Sequence, residues 1–119
     1  MTPEALKART KTFALRILAL ADMLPRRKAV QHIGGQMVRA GTSVGANYRA
    51  ACRAQSRATF IAKLAIVEEE ADETQYWLEL LAEWGAVPAE HVNDLLGEAG
   101  ELVAIFTASR KTATRPRRP

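Results

Sequence analysis

Two histidines, one cysteine and a dense acidic run are the residues of this 119-residue chain whose types could do chemistry. A di-metal centre in a helical bundle needs Glu-x-x-His pairs on two helices plus two further inward glutamates. Neither His32 nor His91 meets that rule. Ala29 stands where His32 would need an acid, and His91 directly follows Glu90, which turns it to another side of a helix. No metal site and no cofactor is expected. Glu68, Glu69, Glu70, Asp72 and Glu73 form an acidic cluster in which Glu69 and Glu73 share a helical face, as do Glu68 and Asp72. Such like-charged pairs repel. They read as a solvated face or as salt-bridge partners of the preceding helix; a metal or general-acid role lacks a histidine or a phosphate-binding loop to support it. Cys52 is the only cysteine, so it cannot form an internal disulfide, and it reads as a small helix residue in a reducing compartment. No nucleophile elbow, Walker loop, paired cysteines or triad spacing is present, and no enzyme is expected.

The basic residues are more informative. Arg39, Arg49 and Arg53 fall on one helical segment, with Arg49 and Arg53 a turn apart, and Arg57 and Lys63 continue the set beyond a turn. Arg110, Lys111, Arg115, Arg117 and Arg118 crowd the C-terminus. These side chains could contact the phosphates of RNA or DNA. Alternatively, those of the second helix pair with acids on the third. The formal charge of +4 hides the segregation behind that choice. Residues 1–63 hold 12 Lys and Arg against 2 acids, and residues 64–109 hold 11 acids and no Lys or Arg. Either the halves neutralise each other or one faces an external partner, protein or nucleic acid. With aromatics at 6%, nucleic-acid contact would be led by the backbone and largely blind to sequence.

The elements that must position these residues are helices. Apolar residues at 48% and charged residues at 25% suit one folded domain of three or four helices. Thr2-Pro3-Glu4 is a helix start, Leu6, Phe13, Ile17, Leu20 and Leu24 line one face, and Pro25 stops the helix. Leu15 and Leu18 widen that face, so this helix is expected to touch two neighbours. Arg26-Arg27-Lys28 is a connector or a first turn. Val30, Ile33, Met37, Ala40, Val44, Tyr48 and Ala51 form a second stripe that keeps phase through Gly34, Gly35, Gly41 and Gly45. The preserved phase predicts a continuous helix, with Gly41 and Gly45 admitting a close neighbour, rather than a loop at Gly41. Asn47 is expected to hydrogen-bond across the bundle.

Ser56 caps a third helix with Phe60, Leu64, Val67, Ala71, Thr74, Leu78 and Leu81 as its seam and Gly85 as its terminator. Trp77 and Trp84 lie off that seam. Pro88 opens a fourth helix carrying Val92, Leu95, Ala99, Leu102 and Phe106. The expected fold is all-α, an antiparallel up-and-down four-helix bundle over residues 1–109, with 110–119 a disordered basic tail. No apolar run is long enough to cross a membrane, and the N-terminus carries no basic-then-apolar leader, so the expected location is the cytoplasm.

The segments RAGTSVGANYRAA and FIAKLAIVEEEADETQYWLELL resemble the family of 23S rRNA intervening-sequence proteins, generally labelled four helix bundle proteins. Arg39, Ser43, Val44, Asn47, Phe60, Lys63, Leu64, Glu70, Glu73, Trp77 and Leu78 carry the resemblance, which is closest over residues 39–81 and omits the tail. It implies a small bacterial bundle that assembles into a ring, commonly a pentamer. It also implies kinship with the accessory variability protein of diversity-generating retroelements, whose basic bundle binds nucleic acid and a reverse transcriptase. No catalytic residue carries over. Ring assembly suits the sequence: off-seam Trp77 and Trp84 could serve a homo-oligomer interface, and a basic flank meeting an acidic one makes a head-to-tail contact. The strongly acidic second half departs from a uniformly basic bundle.

Overall fold

A computed structural model describes residues 1–116 as four helices and one short 3-10 turn: α1 (Pro3–Asp22), α2 (Lys28–Cys52), α3 (Arg57–Trp84), the turn Ala89–His91, and α4 (Asn93–Thr114). They pack as an antiparallel up-and-down bundle, 56 × 22 × 20 Å, with no strand among the described residues. Each boundary has a local cause. The Thr2 hydroxyl accepts the Ala5 N–H at 3.1 Å, and that of Ser56 accepts the Thr59 N–H at 3.1 Å. α1 ends at Asp22, three residues short of Pro25, because proline bars helical geometry from the residue before it. α3 ends in a Schellman turn: Gly85 takes φ 74°, its N–H reaches the Ala82 carbonyl, and Ala86 N–H reaches that of Leu81 at 3.2 Å.

α2 runs unbroken through its four glycines, as its apolar phase predicts. Two of them are floor for α1. A Cβ on Gly41 would stand 2.9 Å from Ile17 Cγ1, and one on Gly45 3.1 Å from Thr10 Oγ1. The helix brought close by these glycines is therefore α1, the preceding one. Thr10 is fully buried there and donates its hydroxyl to the Leu6 carbonyl at 2.8 Å, so no polar atom is orphaned.

The core is one cluster in which Phe13, Ile17, Met37, Val44, Leu64, Val67, Leu78, Leu102 and Phe106 are almost wholly removed from solvent. The predicted seams of all four helices supply it. Four expectations need correction. Leu15 and Leu18 do not widen the packed face of α1 but stand 59% and 42% exposed. Asn47 donates its amide to the Ser43 carbonyl one turn back, at 2.9 Å, and makes no bond across the bundle. Pro88 precedes a 3-10 turn rather than opening the helix, and α4 begins at Asn93. α4 also continues to Thr114, five residues into the segment expected to be a tail, because α3 caps it there.

Candidate functional site

Several of the singled-out bases are engaged within the bundle. On the α2–α3 seam, one guanidinium nitrogen of Arg39 lies 3.3 Å from Glu70 and the other bonds Glu73. The same Glu73 oxygen accepts the Trp77 indole N–H at 3.0 Å. That indole bond, and after it the Arg39 bond, hold the Glu73 carboxyl below its ordinary range, although partial burial opposes them. On the α3–α4 seam Arg110 bonds Glu68, whose other oxygen accepts the Thr107 hydroxyl at 2.9 Å. The Arg110 bond is the main reason that the Glu68 carboxyl also titrates low. Arg57 donates to the Ala113 carbonyl at 2.8 Å and to that of Arg115. The acidic run on α3 thus clamps its two neighbours; the salt-bridge reading anticipates the Arg39 pairs with α2 but neither the Arg110 pair with α4 nor Arg49 and Arg53, which are unpaired among the described residues.

A fourth contact had no sequence signal. Arg9 on α1 grips Glu98 on α4 with two bonds of 2.8 and 2.7 Å and reaches Glu101 at 3.0 Å. This bridge ties the first helix to the last, and its Arg9 bond lowers the Glu98 carboxyl despite burial.

Arg49, Arg53, Lys63, Lys111 and Arg115 form no ion pair among the described residues. All but the half-buried Lys63 are exposed. Arg117 and Arg118 lie outside the described residues. Bundle topology places the start of α1, the end of α2, the start of α3 and the end of α4 at one pole, and the Arg57 contacts join two of these directly. The five unpaired bases therefore gather at that pole. Lys7 and Lys11 on α1 belong with them: they line, with Arg49 and Thr42, a groove of about 500 Å³ between α1 and α2 whose floor is Gly45 and Thr10. Their spacing of one turn, off the Leu6–Phe13–Ile17 seam, was the signal that could have found them. Glu4 is the one acid in the first turn of α1, 3.9 Å from Lys7. The opposite pole holds Asp22, Glu79, Glu83, Glu90 and Asp94 against Arg26, Arg27 and Lys28. Charge blocks along the chain become a gradient along the bundle.

Trp77 is half-buried and committed to Glu73, whereas Trp84 is 51% exposed with the Arg27 guanidinium 5.3 Å over its ring. Among the described residues no three His, Cys, Asp or Glu side chains are grouped to hold a metal ion. No helix there is long and apolar enough to cross a membrane. Burial is the main cause that pushes the Tyr48 hydroxyl above its ordinary range.

Residues 5–108 match the family described as 23S rRNA-intervening sequence protein. The chain belongs to this family. A solved structure, a protein of unknown function from the S23 ribosomal protein family of Bacteroides thetaiotaomicron, is 37% identical, with a TM-score of 0.85 over 93% of this chain and 99% of that one. No curated protein matches. Among the residues that carry the resemblance, Arg39, Glu70, Glu73 and Trp77 form one network whose Arg39 bonds hold α2 against α3, whereas Ser43 and Asn47 bond carbonyls within α2.

Proposed function

We propose that this intervening-sequence protein is a non-enzymatic, cytoplasmic homo-oligomer that associates with nucleic acid, structured RNA or an RNA–protein complex, through its basic α2 surface and C-terminal segment. The observation that carries this reading is the gathering of Arg49, Arg53, Lys63, Lys111 and Arg115 at one pole without carboxylate partners among the described residues. Arg57 and Arg110, bonded to groups of neighbouring helices, brace that surface, the exposed Arg39 lies mid-way along α2 paired with α3, and Arg117 and Arg118 would extend it. Cations without internal partners attract phosphates at long range, and their contacts release counterions. The test is a salt titration of RNA and DNA binding beside light scattering. Affinity that falls steeply with salt while the oligomer stays intact supports the reading; absence of binding at low salt removes it.

A second reading, a protein-interaction scaffold, rests on Leu15 and Leu18, exposed on α1, and on the solvent-facing acids of α3 such as Glu69, Asp72 and Glu79. A basic, partly apolar flank meeting an acidic flank of the next copy is a head-to-tail contact that closes a ring, a pentamer on the family resemblance, with Trp77 and Trp84 at its edge. An oligomer that binds no nucleic acid would favour it.

A further inference from the structure

Resting on the nucleic-acid reading, we infer that the ligand is a double helix, held by its phosphates against the basic pole, with the α1–α2 groove as the central contact. The binding surface is then not one flank of α2 but three helix ends together: Lys7 and Lys11 of α1, Arg49 and Arg53 of α2, Lys111 and Arg115 of α4. Gly45 eases the approach of α1 to α2: a Cβ there would stand 3.1 Å from Thr10 Oγ1, so the floor of the groove shared by Lys7, Lys11 and Arg49 would have to give by a few tenths of an ångström.

The choice of a duplex comes from the aromatics. Proteins that hold single strands without regard to sequence stack the bases on exposed rings. This pole offers no fully exposed ring: Phe13, Tyr48 and Phe106 are buried, and Phe60 is partly buried against the core. The two exposed rings, Tyr76 and Trp84, stand on the far half of α3. Cations without stacking platforms suit a ligand whose bases are already turned inward and whose phosphates are fixed in space. Size agrees. The bundle is 22 × 20 Å in cross-section, wide enough to span the phosphates flanking one groove of a duplex.

The experiment compares fluorescent RNA of about two helical turns, as a duplex and as one of its strands, binding to the full chain at about 50 mM salt and above. Lys7→Gln/Lys11→Gln/Arg49→Gln removes three charges from the groove. Arg16→Gln/Arg26→Gln/Lys28→Gln removes three exposed charges elsewhere and is the control. We expect the duplex to bind more tightly than the strand. The groove variant should lose about tenfold or more and shed about 3 from the salt slope, while the control changes by less than about threefold. Lys11→Gln/Arg53→Gln, at two exposed positions, guards against misfolding of the triple and should lose affinity in proportion. Equal or tighter binding of the single strand, or equal losses in groove and control variants, overturns the inference and leaves the nucleic-acid reading standing. A wild-type protein that binds neither RNA removes both.

Discussion

Arg57, in the first turn of α3, donates its Nε–H to the carbonyl oxygen of Ala113, 2.8 Å away in the last turn of α4. A helix end exposes carbonyls without internal partners, and a guanidinium fork is suited to cap them. The five residues from Arg110 to Thr114 are helical because of a residue more than fifty positions earlier. Arg57→Ala should therefore unravel the end of α4, costing about 1 kcal/mol. Amide hydrogen exchange should speed up across residues 110–115 while the centre of α4 stays protected. Unchanged exchange there would show that the helix end stands without its cap.

Glycine substitutions in α2 should have opposite signs at positions only six apart. Gly41→Ala drives a methyl to 2.9 Å from Ile17 Cγ1, and Ile17 is fully buried with nowhere to move, so a loss of about 1–3 kcal/mol is expected. Ile17→Val in the same chain should not restore it, because valine keeps both γ carbons that the added methyl meets. Gly35 is exposed, and a methyl added there meets no neighbouring atom within 4 Å, so Gly35→Ala should gain up to about 1 kcal/mol from helix propensity. Thermal unfolding of the three variants is the measurement; a stabilised Gly41→Ala would deny the close crossing.

These two cases also show what the sequence can and cannot express. The helices and their seams are legible because burying one face imposes a period that no other arrangement of Val30, Met37, Val44 and Tyr48 satisfies. The phase even survives the glycines, though which neighbour they admit does not follow from it. Contacts between distant segments leave no such trace. Nothing near Arg9 announces Glu98, and nothing near Ala113 announces Arg57. For the candidate site, the bases of α2 and of the C-terminus were visible as a run of charge. Lys7 and Lys11 carried only the faint signal of a one-turn spacing off the seam, because their importance comes from the groove they share with Arg49.

The Arg9–Glu98 bridge should make stability depend on acid. The Glu98 carboxyl is lowered in the folded chain, chiefly by the Arg9 bond. Such a group contributes fully above the unfolded carboxylate value of about 4.3, and its contribution drains away as pH falls from there to the lowered folded value. Glu98→Gln should cost about 1 kcal/mol at neutral pH and nothing once both states are protonated, so its unfolding curve should converge on that of the wild type in acid. Denaturant melts between about pH 7 and pH 3 would check it. A constant difference across that range would mean that the loss comes from packing rather than charge.

Leu15 and Leu18, one turn apart on the outer side of α1, are the exposed leucines of the bundle, and they follow Lys11 along the helix from the edge of the basic groove. Leucines left in water three residues apart gain little by staying there, whereas a second copy that covers them removes apolar surface worth about 25 cal/mol per Å². Both lie outside the core cluster, so replacing them by glutamate should leave the fold of one chain unchanged within about 0.5 kcal/mol. The assembly should not tolerate it. If α1 is the face that meets the acidic flank of the next subunit, the new carboxylates oppose Glu69, Asp72 and Glu79, and light scattering should report a fall in mass. Trp84→Ala, at a ring already covered on one side by Arg27, should have the smaller effect. A Leu15→Glu/Leu18→Glu chain of undiminished size, beside a Trp84→Ala chain that falls apart, would move the interface to the far end of α3.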